Sequence, residues 1–571
     1  MRIAALTFTL VVNCVCGCGK HPGDTSPELL SPAGALTKDT DELANDVRQN
    51  DWFEDVTEKS GINFQYRNGR EGACHFILES LGGGVAMVDY DRDGDLDLFF
   101  TGGGVIGGSP PAVTGLPSGL FRNDGNLRFV DVSEEAGFQH AGDYSHGVSV
   151  VDFDQDGFPD LFVCCYGQSR LYRNTRDERF QDVTGQAGLS ARGWNTAAAW
   201  GDIDADGWPD LYVARYLDWS PEKDRPCLKN GIRDLCGPRS YGGVIDCLYR
   251  NQGNGTFEDI SQQAGLIPGN GLGVVAADLN NDGRIDFYTA NDESNNHLYL
   301  GNPELPLTEA ALISGVATNE YGMPDGSMGV DVGDVNGDGN PDLWTTNFER
   351  EDNGLYCSDG NGLFRSATLT SGLAGHSRLQ VGFGTALADF DGDGWLDIFV
   401  TNGHVFYHGR ESAYRQQAQL FRNDAGRFEN VSAAGGTYFR SDHVGRGAAI
   451  GDLDNDGALD LVVVHQNESV SILRNRTPPK HFVRVRLQGT QSDRDAIGAV
   501  ASIRSSGRTL MRWVRSGAGY FSHSDQRILF AVDDDAPVDV TVDWLGRGRE
   551  VFGNLKVGET HELVEGRGKS E

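Results

Sequence analysis

DFDQDGFPDLFV, residues 152–163, is an acidic turn running straight into a short apolar strand, and the chain repeats it seven times. The other copies begin DYDRDGDLD (Asp89–Asp97), DIDADGWPD (Asp202–Asp210), DLNNDGRID (Asp278–Asp286), DVNGDGNPD (Asp334–Asp342), DFDGDGWLD (Asp389–Asp397) and DLDNDGALD (Asp452–Asp460). The shared pattern is D-x-[DN]-x-D-G-x-x-D. Carboxylates packed this closely repel one another unless a cation neutralises them. Ca²⁺ takes six to eight oxygens, and side chains at positions 1, 3 and 5 can converge on it. Gly at position 6 permits the sharp turn. Position 7 offers a backbone carbonyl and so varies freely, and the final Asp closes the cage. An EF-hand would instead carry Glu at position 12 between two helices.

The candidate ligands are therefore Asp89, Asp91, Asp93 and Asp97; Asp152, Asp154, Asp156 and Asp160; Asp202, Asp204, Asp206 and Asp210; and Asp278, Asn280, Asp282 and Asp286. The last three loops add Asp334, Asn336, Asp338 and Asp342; Asp389, Asp391, Asp393 and Asp397; and Asp452, Asp454, Asp456 and Asp460. Five loops of four Asp and two of three hold 26 of the carboxylates behind the formal charge of −35, which would be −9 without them. The acidity belongs to the loops rather than to a disordered tail. No basic stripe matches phosphates, which argues against nucleic acid as a partner.

Outward from each loop the pattern is β. Small and β-branched runs precede it (GGGVAMV, GVSVV, GTALA), and LDLFFT, PDLFVC or LDIFVT follow it. A third element reads L-[FY]-R-N, as in Leu120–Asn123 and Leu420–Asn423, with departures at Leu298–Asn302 and Leu355–Asp359. A fourth reads F-x-D-V-[ST]-x-x-A-G, as in Phe129–Phe138 and Phe180–Leu189, with degraded copies at Thr308–Val316 and Phe364–Leu373. Four short strands per repeat, with loops 50 to 76 residues apart, predict a β-propeller. The seventh loop has no fourth element after it, yet FEDVTEKSGI (Phe53–Ile62) stands ahead of the first loop. That split predicts ring closure, with the N-terminal strand completing the last blade and pairing its free edge. The expected fold is all-β, a seven-bladed propeller over residues 51–478 followed by a small β module over 479–566.

The N-terminus, MRIAALTFTLVVNCVCGCGK, reads as a secretory signal over residues 1–18. VCGC resembles a bacterial lipobox with Cys18 as the lipidated residue; a plain cleaved signal is the alternative. Residues 19–50 read as a flexible tether. No segment is apolar enough to span a bilayer, so the only membrane contact expected is the lipid anchor. An exported chain permits disulfides, and Cys227 and Cys236, flanking a short loop in an insertion, are the expected pair. Cys164 and Cys165 read as a vicinal disulfide or a buried strand pair. Cys74, Cys247 and Cys357 have no partner legible in the sequence.

The repeats resemble the FG-GAP/VCBS repeats of integrin-type propellers. HFVRVRLQGTQSDRDAIGA, RSGAGYFSHSD and VTVDWLGRG resemble the ASPIC/UnbV module. Together, over residues 51–566, they resemble the cartilage acidic protein-like family. The resemblance implies a propeller fold, calcium and an extracytoplasmic location, and it brings no reaction. No catalytic constellation emerges. His523-Ser524-Asp525 are too close in sequence to meet as a triad, the GGG runs lack a P-loop Lys, and His404 either lines a pocket or fills a loop. Trp194, Trp208, Trp219, Trp344 and Trp395 could stack a sugar or pack blades. The reading is an exported, calcium-binding, non-enzymatic recognition protein with a protein or glycan partner. The alternatives are a polysaccharide hydrolase or lyase working in the propeller funnel, and a structural subunit of an exported assembly.

Overall fold

The computed structural model describes residues 50–139, 142–190, 192–409, 411–477 and 481–570, all within one compact unit. The expected signal, Cys18 and almost all of the tether lie outside the described residues. The chain is all-β, as its repeats predict and as is consistent with a β-propeller. Each acidic loop joins the first two strands of a four-stranded antiparallel meander. We number these sheets one to seven in chain order. Their inner strands are Val85–Val88, Tyr144–Val151, Arg192–Gly201, Gly271–Ala277, Val330–Gly333, Gly382–Ala388 and Gly445–Gly451. Each lies beside the inner strands of the neighbouring sheets, and that of sheet seven lies beside that of sheet one. The N-terminal strand Phe53–Asp55 pairs with Ser471–Asn475, with Phe53 opposite Asn475. It supplies the fourth strand of sheet seven, the pairing that the split of sequence elements predicts.

The small residues of the inner strands have a steric cause. A Cβ on Gly147 would lie 2.3 Å from the Thr196 carbonyl, one on Gly273 2.3 Å from that of Met328, and one on Gly329 2.2 Å from that of Phe383. Gly384 and Gly447 stand in the same relation to Arg446 and Gly83. Inner strands converge too closely for side chains to separate their backbones. Second strands such as Asp97–Phe100 and Asp286–Asn291 are buried along their whole length. A neighbouring sheet covers each face, which is why they read as continuous apolar runs. In the outer strands Phe129, Phe180 and Phe257 are buried while the next two residues are exposed.

The F-x-D-V-[ST] element is a latch. Asp131 accepts hydrogen bonds from the amide and hydroxyl of Ser133, and the Ser133 hydroxyl in turn accepts the Leu120 amide at 2.9 Å. Thr184, Ser261, Thr368, Ser432 and Thr57 do the same for Leu171, Leu248, Leu355, Leu420 and Ile472. An Asx-type turn thus ties the outer strand to the third strand.

The C-terminal module has a three-stranded sheet around His481–Gln488 and a five-stranded sheet around Val500–Ser505, with a core of its own including Phe530, Val542 and Trp544. It also contains a strand, Gly548–Leu555, that sequence patterning missed. From the module's strand Arg508–Trp513 a tongue, Arg515–Asp525, runs between the inner strands of the seven sheets. Ser516 and Gly517 pair with Ala276 and Val275. Gly519 exchanges backbone hydrogen bonds with Val330, Val148 donates to Phe521, His523 donates to Val85, and Asp525 donates to Ile450. The Ser516 hydroxyl accepts the Trp200 amide, and the Tyr520 ring meets Phe383 edge-on at 5.1 Å. All seven sheets therefore contact the tongue. Tyr520, fully buried, donates its hydroxyl to the Leu81 carbonyl at 3.0 Å.

Candidate metal centres on the repeat loops

The seven loops share one backbone. Position 6 glycines have φ between 80° and 98°, the left-handed region that glycine enters without cost. Position 4 is left-handed as well, at Arg92, Gln155, Ala205, Asn281 and Asn455, with glycine only at Gly337 and Gly392. In loops two to seven the position 1 Asp accepts the amides of positions 5 and 6. Asp152, for example, takes Asp156 at 2.9 Å and Gly157 at 2.8 Å. Carboxylate oxygens of Asp89, Asp91 and Asp97 lie within 4.8 Å of one another. The same holds for Asp152, Asp154 and Asp160, for Asp202, Asp204 and Asp206, and for Asp389, Asp391 and Asp397.

This donor set fits a hard cation. Every side-chain ligand is oxygen, and the spacing suits the six to eight oxygens of Ca²⁺. Asp89 Oδ1, Asp154 Oδ1 and Asp454 Oδ1 are buried and accept no hydrogen bond, a costly state for a carboxylate unless an ion serves it. Without a cation, burial pushes Asp152 up to about 7 and Asp202, Asp389 and Asp452 up to about 6.

The position 9 Asp has a second role that the sequence reading missed. Asp160 accepts the Phe153 amide of its own loop and the Asn174 amide of the third strand, at 3.2 and 2.7 Å. All seven copies form this pair of bonds, down to Leu453 and Asn475 on Asp460. Burial raises these carboxyls furthest, Asp97 to about 9. They lock the turn to the third strand while lying beside positions 1 and 3.

The L-x-R-N element also serves the loops. Arg173 meets Asp154 at 2.8 Å, Arg250 meets Asp204 at 3.0 Å, Arg422 meets Asp391 at 2.7 Å and Arg474 meets Asp454 at 2.7 Å. Each guanidinium offsets the charge of position 3. The two loops with Asn at position 3, Asn280 and Asn336, belong to sheets whose third strands carry Leu300 and Cys357 in place of this Arg. Losing the carboxylate and losing the guanidinium go together, as local charge balance requires. The Asn is a bridge between sheets: Asn174 donates to the Tyr90 carbonyl, Asn251 to Phe153, Asn423 to Val335, Asn475 to Phe390, and Asn123 to Leu453 across the junction of sheets one and seven. Position 2 of each of these loops is thus a socket for the adjoining sheet. Its ring takes the outer-strand Phe as well, Tyr90 against Phe180 and Phe390 against Phe53.

The module covers the same loops with arginines. Arg484 pairs with Asp452 at 2.6 Å, both buried, and Arg494 with Asp152 at 3.3 Å. Arg508 and Arg512 donate to the Asp393 and Gly394 carbonyls, and Arg508 lies 4.3 Å over the Trp395 ring. Trp194, Trp219 and Trp344 are buried in packing. A further grouping, His443, His465 and Glu468, has both His465 nitrogens engaged, by Tyr438 and Ser469, and is a stacked hydrogen-bonded cluster.

The Cys227–Cys236 disulfide is formed, while Cys74, Cys164, Cys165, Cys247 and Cys357 are free thiols. The Cys164-Cys165 alternative therefore resolves to a buried strand pair. The disulfide closes a hairpin at the loop-distal ends of the strands. There the Tyr407 and His408 amides donate to the Asp234 carboxylate, Asn230 to the His408 carbonyl and the Tyr407 hydroxyl to Glu79. His404 is buried beside Glu349, at 3.3 Å. Insertions from three places in the chain thus interlock opposite the acidic loops. No helix of the described residues is long and apolar enough to cross a membrane.

The FG-GAP-like repeat family matches residues 89–163, 152–213, 229–289, 278–345, 334–400 and 389–463, and the ASPIC and UnbV family matches residues 489–570. Cartilage acidic protein 1 of Mus musculus is 24% identical over 415 residues, 60% of this chain and 59% of that protein. The Homo sapiens protein of the same name is 25% identical over 60% of this chain and 49% of its own length. The chain thus spans little more than half the length of the curated relatives it matches. A solved lectin of Agrocybe aegerita, described as recognising non-reducing terminal N-acetylglucosamine, aligns with TM-score 0.38 at 15% identity over 67% of this chain and 85% of the lectin. Repeats, module and relatives agree, and the chain belongs to the FG-GAP-like repeat family, with a C-terminal ASPIC/UnbV domain.

Proposed function

We propose that the protein is an exported, calcium-stabilised recognition scaffold: a closed seven-bladed propeller with ions in its acidic loops, binding a protein or glycan partner through the face opposite those loops. The observation that carries the reading is the division of labour between the two faces. The acidic loops are overlaid by module arginines and tied to the tongue's own domain, so they hold the fold. The long insertions gather at the opposite ends of the strands. The cyclic contacts of the inner strands support the closed ring. The buried, unserved oxygens of Asp89, Asp154 and Asp454 support the ions. A disulfide and a signal-like N-terminus support export, with Cys18 as the proposed lipid anchor. The tongue fills the axis that a funnel enzyme would use, which favours recognition over catalysis.

Two measurements test this. Calcium added to chelator-stripped protein should give binding heat and raise the melting temperature. A site of Kd ~10⁻⁴ M contributes about 2.7 kcal/mol at 10 mM ion. Capture on glycan and protein arrays should then depend on calcium and on residues 218–247 and 404–419. No heat with an unmoved melt refutes the metal reading. Capture indifferent to the insertions refutes the recognition face.

A further inference from the structure

Between the interlocked insertions and the inner strands lies a 220 Å³ cavity. Its walls are apolar and aromatic, including Leu81, Met328, Phe348, Phe383 and Phe406. Into this lining come three carboxylates, Asp292, Glu293 and Glu349, and a single ammonium, Lys229. Glu293 is matched by Arg239 at 3.2 Å. Asp292 accepts the Tyr216 hydroxyl at 2.5 Å, and no Lys or Arg of the described residues forms an ion pair with it. Glu349 accepts the Ser412 hydroxyl and faces His404. Burial holds His404 below the ordinary histidine range, against the pull of Glu349, so the ring contributes little positive charge at neutral pH. Asp292, which burial pushes up to about 7, and Glu349 are thus the two carboxylates of the cavity with no Lys or Arg ion pair among the described residues.

The chain itself shows what the aromatic lining accepts. Lys229 Nζ lies 3.7 Å from the centroid of Phe406. On the inner side the Arg446 guanidinium lies 3.8 Å from the centroid of Phe383. Two wall rings thus already serve as cation–π faces. A mostly apolar pocket with a few convergent polar groups is the usual form of a small-ligand site.

We propose that this cavity binds an organic cation, an ammonium or guanidinium on an apolar shaft, with the charge held by Asp292 and Glu349 and the shaft packed on Phe348 and Phe406. Such a cation reaches the site free in solution or as the basic side chain of a protein partner. The proposal rests on the recognition reading and names the chemistry of its ligand.

The test uses the full chain in calcium buffer and titration calorimetry. The probes are phenethylammonium, its neutral analogue 2-phenylethanol and its anionic analogue phenylacetate. A peptide arm, acetyl-Phe-Lys-amide against acetyl-Phe-norleucine-amide, separates a partner's side chain from a free amine. Phenethylammonium should bind at least about 10-fold more tightly than either analogue, because a hydrogen bond to a charged group outweighs a neutral one by that order. Asp292→Asn and Glu349→Gln, both isosteric, should each weaken it about 10-fold. Lys229→Met, which removes the resident ammonium, should leave binding intact or tighten it. Equal affinity for the three small probes, absence of binding by all of them, or indifference to both carboxylate variants overturns the proposal. If array capture still depends on the insertions when the cation probes fail, recognition stands and the pocket's chemistry falls.

Discussion

Asn123→Ala should unlatch the junction between sheets seven and one. The side chain is fully buried. Its Nδ2 donates to the Leu96 carbonyl at 3.1 Å within its own sheet and to the Leu453 carbonyl at 3.0 Å in the neighbouring loop, and its Oδ1 accepts the Gly125 amide at 3.0 Å. Alanine removes all three bonds and leaves two carbonyls and an amide short of a partner. At about 1 kcal/mol for each group stranded, the loss is about 3 kcal/mol. That is roughly a 150-fold shift in the folding equilibrium. Asn302→Ala is the internal control: it occupies a sheet where Gly301 stands at the bridging position, and its bonds to Pro306 and Thr308 are solvent-exposed. It should cost under about 0.5 kcal/mol. The assay is urea denaturation in excess calcium, followed by tryptophan fluorescence, with hydrogen exchange at Gly119–Asn123 and Asp460–His465 locating the opening. A loss below about 1 kcal/mol for Asn123→Ala, or one equal to the control, would refute the idea that these asparagines join the sheets.

Protein held in chelator should respond to acid in the opposite sense to the usual one. The folded-state values of Asp152, about 7, and of Asp202, Asp389 and Asp452, about 6, exceed the unfolded value of about 3.9. Stabilisation from these groups is present below about pH 4 and is lost as pH rises through 6 to 7. Scanning calorimetry of chelated protein should therefore show a higher melting temperature at pH 5 than at pH 8, and calcium should reverse the order; a chelated protein more stable at pH 8 contradicts the assignment. Tyr520→Ala should cost about 3–5 kcal/mol from the vacated core volume and expose the tongue to limited proteolysis, whereas unchanged protease resistance would show that the plug is dispensable. Arg422→Leu, which uncovers Asp391 and Asp393, should tighten calcium at loop six by about 3-fold and lower the chelated melting temperature; weaker calcium binding would mean that the guanidinium organises the loop rather than opposing the ion.

Much of the architecture was legible because it repeats. Aspartate at fixed offsets, glycine at position 6 and period-like apolar strands are local demands of the backbone and of charge, so each copy announces itself. The missing seventh outer strand and the extra one at Phe53 were a bookkeeping mismatch within the sequence, and its resolution is the pairing of Phe53 with Asn475. The disulfide was legible because both cysteines flank one short loop. The L-x-R-N motif was visible as a pattern without its meaning. Asn174 and Tyr90 are 84 residues apart, Asn123 and Leu453 are 330 apart, and no local rule links them.

The sequence by itself determined the repeating unit, its acidic turn and the closing strand, because these follow from spacing and from electrostatics within a few residues. Only the tertiary structure decided what fills the space between the inner strands and which side chains line the cavity beneath the insertions. Those depend on segments hundreds of residues apart, Tyr520 against Leu81 and Lys229 over Phe406, brought together by packing that no local pattern encodes.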